Sequence, residues 1–290
     1  MTKTYNFNSR ADNNINAPIW PDYDQNSEYS KKLIKTKQEN DHNFWGNMRD
    51  ILAYDYKNLT IDRVKVWASV MSVPLMSNTR HSSYIKDALN ALGYAEEALI
   101  EPMIGLNQND YQMYYKVFDD FTTTMNRIQH LGHLIKCGIT PDKLKDMETI
   151  TEIGGGLGEM TDIIYKLGFK GKYIIYDFPE LSAIQSSFHN QLGLSNVSYT
   201  SDMEDLVKSD LVIGTWSITE APIDVRNNMI ERLKDSEEWL LAYSNNIFGL
   251  DNNEWIHDSF LPMMDGDIKI KNIPEMSWDN GTYYCHVKSY

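Results

Sequence analysis

Between Glu28 and Gly138 the apolar positions recur at helical spacing: Tyr29, Leu33 and Ile34, then Val64, Trp67 and Met71, then Ile85, Leu89 and Leu92 before Gly93. Residues three or four apart share one face of a helix, so this half is predicted to be all-helical. Asn109-Asp110 reads as a cap ahead of Tyr111 to Phe118. Met125, Ile128, Leu131, Leu134 and Ile135 form an apolar stripe on a helix from Thr124 to Lys136, stopped at Cys137-Gly138. Thr140-Pro141-Asp142 opens a short helix or turn. The first ~25 residues, rich in Asn, Asp and Pro, read as an extended arm.

From Met147 the period changes. Short apolar runs at Thr149 to Ile153, Tyr173 to Asp177, Val197 to Thr200, Leu211 to Thr215 and Trp239 to Tyr243 alternate with helical stretches, the pattern of βα units in a parallel sheet. Ile268 to Ile273 and Thr282 to Lys288 stand too close for a crossover helix and are expected as a reversed, antiparallel pair at one end of that sheet. The switch divides the chain into an N-terminal helical unit with its arm, residues 1–145, and an α/β unit, residues 146–290, with five parallel strands and the reversed pair. The helical unit is a natural lid or dimerisation surface.

Charge follows the same division. Up to Lys145 there are 17 Lys and Arg against 17 Asp and Glu; from Asp146 there are 10 against 24, so the formal net charge of −14 belongs to the α/β half. An acidic surface without a Lys/Arg stripe repels a phosphate backbone, which disfavours nucleic acid as a substrate; solubility alone also explains the acidity. No apolar run approaches the ~20 residues of a membrane span, and the first ten residues lack the hydrophobic centre of a signal peptide, so the expected location is cytoplasmic. Cys137 and Cys285 are isolated, supporting neither a disulfide framework nor a zinc site, and three Asn-x-Ser/Thr matches carry little meaning without secretion.

The most specific chemistry lies at Thr149-Ile-Thr-Glu-Ile-Gly-Gly-Gly-Leu-Gly158, an apolar strand running into Glu152-x-Gly154-x-Gly156-x-Gly158. Glycines there let the backbone turn sharply and approach a ligand before a helix starts near Glu159. A dinucleotide fingerprint needs a third Gly or Ala where this chain has Glu159 or Thr161, depending on register, and Glu159 would oppose a pyrophosphate at the helix N-terminus. The ligand expected is a nucleoside without phosphate. S-adenosylmethionine fits, since its sulfonium and ammonium suit an acidic turn.

The other strand ends supply partners. Asp177, ending the second strand, is placed to accept both ribose hydroxyls. Ser201-Asp202-Met203 ends the third, where Asp202 suits an adenine amino group and Met203 the ring face; each Asp read alone is an ordinary turn residue. The fourth strand runs into Gly214-Thr-Trp-Ser-Ile-Thr-Glu-Ala-Pro222 and the fifth into Tyr243-Ser-Asn-Asn246, loops expected to face a methyl acceptor. Glu220 is the leading general-base candidate, because a hydroxyl must lose its proton as it attacks; the alternative is a helix-start residue beside Pro222. Trp216, Ser217, Asn245 and Asn246 are placed to orient hydroxyls. His257 is a second candidate base, or else a surface histidine. His130 and His133 lie three apart without companion ligands and read as packing or substrate-facing groups; no metal site is expected.

Glu152-Ile-Gly-Gly-Gly-Leu-Gly158, Tyr173-Ile-Ile-Tyr-Asp-Phe-Pro-Glu180 and Asp210-Leu-Val-Ile-Gly-Thr-Trp-Ser-Ile-Thr-Glu220 together resemble the sugar O-methyltransferase family of class I enzymes. Asp-Phe-Pro-Glu is similar to that family's Asp-Leu-Pro-Glu motif and Ser-x-x-Glu to its motif after the fourth strand. The segment from Thr124 to His133 is similar to the helix placed before its Gly turn. The resemblance spans Asp120 to Asn246. It implies the Rossmann-like class I sheet, S-adenosylmethionine bound through Gly154, Gly156, Gly158, Asp177 and Asp202, and in-line transfer to a hydroxyl near Glu220. Three readings stay open: an O-methyltransferase acting on a sugar or small molecule, one with an amine or peptide acceptor, and a non-catalytic binding module on the same fold.

Overall fold

A computed structural model of the chain describes residues 114–118, 121–156, 158–247, 249–272 and 282–289. The arm and the helices expected before residue 114 lie outside the described residues. The elements in order are β1 (Tyr114–Phe118), β2 (Phe121–Thr124), α1 (Met125–Lys136), α2 (Pro141–Asp146), β3 (Thr149–Ile153), α3 (Glu159–Lys166), β4 (Lys172–Tyr176), α4 (Pro179–Gln191) and β5 (Val197–Thr200). There follow β6 (Leu211–Thr215), α5 (Ile223–Leu233), β7 (Glu238–Ser244), β8 (Asn246–Ile247), β9 (Leu250–Asp251), α6 (Asn252–Trp255), β10 (Asp267–Asn272) and β11 (Thr282–Lys288).

One seven-stranded sheet organises the molecule, in the order β10-β11-β7-β6-β3-β4-β5. The five strands from β3 to β7 are mutually parallel, while β11 runs antiparallel to both β7 and β10. This is the class I layout of five βα strands with a reversed C-terminal pair. Alternation along the strands builds a core on each face. Leu211, Ile213 and Leu240 face one side with Ile150, Tyr173 and Ile175, covered by Leu131, Leu134, Met160, Ile163 and Ile164 of α1 and α3. Val212, Trp239, Leu241 and Tyr243 face the other, covered by Met229, Ile230 and Leu233 of α5 and by Phe260.

One sequence expectation changes. The segment Tyr111 to Phe118, read as helical behind an Asn-Asp cap, contains strand β1, paired antiparallel with β2. Tyr114, Tyr115, Val117 and Phe118 are aromatic and β-branched, and a neighbouring strand of Phe and three Thr decides the competition against helix. The packing of the α/β unit also reaches N-terminal of Asp146: Leu131, Leu134, Ile135, Ile139 and Leu144 are fully or nearly fully buried in the same core as β3 and α3.

The C-terminal ends of the parallel strands are joined by backbone hydrogen bonds beyond the strands themselves. Gly154 N–H donates to Tyr176 O at 2.8 Å, Asp177 N–H to Thr200 O at 3.0 Å and Trp216 N–H to Ala242 O at 2.7 Å. At the opposite edge Glu238, buried at the start of β7, accepts from Lys143 of α2 and from His286 of β11.

Candidate functional site: the Gly turn and the adjoining strand ends

The turn after β3 carries left-handed φ values at Gly154, Gly156 and Gly158, and the three glycines do different work. A Cβ at Gly154 would fall 2.3 Å from Ser217 Cβ, and one at Gly158 would fall 2.4 Å from His189 Nε2. These two glycines admit neighbouring side chains. A Cβ at Gly156 would meet no atom of the described residues within 4 Å, and the position is exposed.

His189 holds the far side of the turn from α4. Its Nε2 lies 2.8 Å from Gly158 O and its Nδ1 2.8 Å from the Tyr199 hydroxyl of β5, with the two rings stacked. Burial lowers the imidazole's proton affinity, and the contact with Gly158 O works against that. Ser217 holds the near side by donating from its hydroxyl to Ile153 O.

Two carboxylates lie under and beside the turn. Glu152 is buried beneath it, where Oε2 accepts from the Tyr173 hydroxyl at 2.9 Å and from Thr161 Oγ1 at 3.4 Å. Burial pushes its pKa up to about 7; the Tyr173 hydrogen bond opposes the rise and the charge of Asp177 adds to it. Asp177 accepts from Phe178 N–H at 2.8 Å through Oδ1, and through Oδ2 from Gly156 N–H at 3.1 Å and Gln185 Nε2 at 2.7 Å. Burial raises it to about 6, against those three hydrogen bonds and a further one from the Gly155 backbone. The second-strand carboxylate is thus hydrogen-bonded to the Gly turn itself.

After β5, Asp202 is exposed and caps a short turn through Glu204 N–H at 2.9 Å, while Met203 is half-buried against the core. In the loop after β6, Trp216 is the one non-glycine with positive φ among the described residues, at 51°. Such strain persists where the surroundings impose it, and functional loops are where it collects. Its ring meets the edge of the buried His133 ring at a centroid distance of 5.1 Å, with His130 half-buried one turn earlier on α1. Glu220 closes the single turn Ile218–Glu220 and is half-buried. Asn245 is half-buried and its Oδ1 meets no donor among the described residues; Asn246 is exposed in β8. His257 is exposed on the π-helical turn Ile256–Phe260, where Ile256 and Phe260 take the core positions.

Three residues outside the sequence-based set emerge: Gln185, His189 and Arg226. Arg226 is fully buried on α5. It donates from Nε to Ala221 O at 2.6 Å, from Nη1 to Asn252 Oδ1 at 2.7 Å and from Nη2 to Thr219 O, with its guanidinium 5.0 Å from the Trp255 ring centre. Asn252 in turn donates from Nδ2 to Ser244 O and from its N–H to Asn245 O, both at 2.7 Å. Burial lowers the guanidinium to about 10, while Glu220 favours its charge. One cation therefore ties the loop after β6 to the loop after β7. The signal in the sequence is an Arg in line with Met229, Ile230 and Leu233 on an apolar helix face.

No helix among the described residues is long and apolar enough to cross a membrane, and no group of three His, Cys, Asp or Glu among them is arranged to hold a metal ion. No protein-family model and no curated protein sequence matches the chain. Among solved structures it is similar to magnesium protoporphyrin IX methyltransferase (ChlM) of Synechocystis PCC 6803 with bound SAM, at 13% identity over 72% of this chain and 97% of that one, with a TM-score of 0.45. It is similar to a Thermoplasma acidophilum protein at 14% identity over 57% of this chain and 90% of that one, TM-score 0.43. It is also similar to the mitomycin 7-O-methyltransferase MmcR at 13% identity over 57% of this chain and 56% of that one, TM-score 0.39.

Proposed function

We propose that this chain is an S-adenosylmethionine-dependent O-methyltransferase acting on a hydroxyl of a sugar or other small molecule. The observation that carries the reading is the coupling of the Gly turn after β3 to the carboxylate after β4: Gly156 leaves open space at its Cα and donates its N–H to Asp177. A nucleoside laid across the C-terminal strand ends meets bare backbone at Gly156 and an acidic acceptor at Asp177, with Asp202 and Met203 at the adenine end. Asp177 and the exposed Asp202 give the strand ends an acidic character that suits a ligand carrying a sulfonium and an ammonium, and neither is a basic group that would bind a phosphate.

When bound, the cofactor supplies an activated methyl group with a good leaving group. The protein's share is positioning, exclusion of water and proton removal. Trp216 and Ser217 frame the acceptor side, and Asn245 Oδ1 offers an acceptor to a donor group such as a hydroxyl. Glu220, at the end of the post-β6 turn, is assigned the proton of that hydroxyl. The substrate class follows from this chemistry: small, polar, hydroxyl-bearing, neither nucleic acid nor membrane-bound. The segment before residue 114 is assigned the lid or a homodimer contact.

Calorimetric titration with S-adenosylmethionine and S-adenosylhomocysteine tests the cofactor assignment directly. Incubation with methyl-labelled cofactor and a panel of glycans, nucleotide sugars, small alcohols, amines and peptides, read by mass spectrometry, tests the acceptor. Labelled alcohols or sugars are expected. Label on amines or peptides alone would overturn the hydroxyl assignment, and cofactor binding without any turnover would favour a binding module.

A further inference from the structure

We infer that His189 is a positioning residue for the cofactor turn: its Nε2–H holds the Gly158 carbonyl, and this contact from α4 keeps the turn in its ligand-binding shape; the inference rests on the cofactor reading above. His189 is fully buried near the C-terminal end of α4 and lies outside the three motifs that announce the site. A carbonyl oxygen only accepts, so the 2.8 Å contact with Gly158 O requires a hydrogen on Nε2. Burial favours the neutral ring, whose bare Nδ1 then accepts from the Tyr199 hydroxyl at 2.8 Å. One tautomer satisfies both contacts, and the bonds run from β5 through the imidazole to the turn.

The carbonyl that His189 holds is the one at which turn becomes helix. Gly158 is the N-cap of α3, left-handed at φ 85°, and it offers no side-chain cap. An N-cap carbonyl ordinarily accepts the first bond of its helix, yet Asp162 N–H reaches Gly158 O only at 3.4 Å, against 2.8 Å for His189. The shorter bond therefore comes from α4. Gly158 N–H is also committed, to Gly155 O at 2.8 Å, and the loop it closes carries Gly156, whose own N–H goes to Asp177. One helical turn before His189, Gln185 donates to Gly156 O at 3.0 Å, so α4 grips two carbonyls of the turn.

Glycines permit left-handed backbone without selecting it. A turn built of them needs bonds from outside to hold one conformation, and a ligand that binds only that conformation loses affinity in proportion as it is depopulated. The Gly-rich motif thus supplies the freedom to turn, and His189 supplies the choice.

Calorimetry with S-adenosylhomocysteine on the full chain tests this, with urea denaturation of the same samples. In His189→Leu, which removes the donor, Kd should rise about tenfold, the scale of one lost hydrogen bond. His189→Gln brings an amide N–H near the position of Nε2 and should stay within about threefold of the parent, whereas His189→Asn brings it near that of Nδ1 and should behave as His189→Leu does. Arg226→Met is the control for stability alone: it should unfold at lower urea and keep its affinity within about threefold. Affinity equal to the parent's in folded His189→Leu would overturn the role of His189. So would losses in His189→Leu and Arg226→Met that follow lost stability alike. If His189→Leu fails to fold, the contrast between His189→Gln and His189→Asn carries the test, and equal affinities in those two would overturn the assignment. Failure of the parent protein to bind S-adenosylhomocysteine at all would instead overturn the cofactor reading, and this inference with it.

Discussion

A Cβ added at Gly158 would lie 2.4 Å from Nε2 of His189, so the Gly turn and helix α4 meet with no room for any other residue. Gly158 is buried at this contact, whereas Gly156 is exposed and an added Cβ there would meet no atom of the described residues within 4 Å. The two glycines should therefore fail in different ways. Gly158→Ala should lower stability by about 2–3 kcal/mol through overpacking and left-handed strain. His189→Ala should recover part of that loss in the double variant. Gly156→Val brings left-handed strain without overpacking, and should abolish cofactor binding. Urea denaturation and calorimetry on the same samples read both effects; equal cofactor affinity in Gly156→Val would remove the turn from the site.

Arg226 links the loop after β6 to the segment after β7, assigned above to the acceptor side, through Thr219, Ala221 and Asn252. Arg226→Met fills the same space but strands three acceptors, and should cost about 2–4 kcal/mol of stability. Lysine places one compact charge where a planar fork served three directions, so Arg226→Lys should recover less than half of the loss. Cofactor affinity should stay within about threefold in both, since the contacts lie on the acceptor side. Denaturation midpoints together with titration of S-adenosylhomocysteine decide this. A cofactor-affinity loss as large as the stability loss would mean that Arg226 supports the whole crevice and not one side of it.

The parts of this molecule legible in the sequence are those fixed by local pattern. Strand β3 and the start of α3 follow from Thr149 to Ile153, the glycines and the spacing of Met160, Ile163 and Ile164. Strands β5, β6 and β11 match their expected bounds, and β4, β7 and β10 differ by one residue at each end. Tyr111, Tyr114, Tyr115 and Phe118 fit helical spacing as well as a strand does, and only the pairing with Phe121–Thr124 decides between them. Arg226 and Gln185 were illegible for a related reason. A polar residue on an amphipathic helix reads as solvent-facing until the fold shows which carbonyls and carboxylates converge on it. Asp202 illustrates the reverse: its side chain caps Glu204 N–H, the turn role any Asp plays, and the cofactor role rests on its place at the end of β5.

Two buried glutamates should give the stability opposite pH dependences. Burial raises Glu152 from 4.5 to about 7, so the folded state binds its proton more tightly than the unfolded chain does. The stability this confers is full below pH 4.5 and lost as pH rises through about 7. Glu152→Gln, which keeps an acceptor for Tyr173, should match the parent near pH 4 and exceed it near pH 8 by on the order of 2–3 kcal/mol. Glu238 behaves inversely. Burial alone would raise it, but His286 and Lys143 together hold it below the usual carboxylate value. Its contribution is present above that usual value and lost as pH falls through the lowered one. Glu238→Gln should destabilise near pH 8 and converge on the parent in acid. Urea midpoints across pH 4 to 8 check both; parallel profiles for the parent and Glu152→Gln would show that Glu152 keeps an ordinary proton affinity.

Glu220 stands at the close of the turn that follows β6, two residues before the Pro222 that leads into α5, and beside the loop tied down by Arg226. Its carboxylate lies within electrostatic reach of the Arg226 guanidinium, and its N–H donates to Ser217 O at 2.9 Å. If it removes the acceptor proton, Glu220→Gln should keep the fold and the affinity for S-adenosylhomocysteine while kcat falls ~10² to 10⁴, the usual contribution of a positioned base. The loss should appear in kcat with KM for the acceptor little changed, because glutamine retains the oxygen that orients the hydroxyl. A rise in KM at unchanged kcat would make Glu220 a substrate clamp. His257→Ala provides the control: exposed on its π-helical turn, it should leave kcat within about twofold, the scale of a surface substitution away from the chemistry. A fall of ~10² or more in His257→Ala, with Glu220→Gln near normal, would move the base to the histidine.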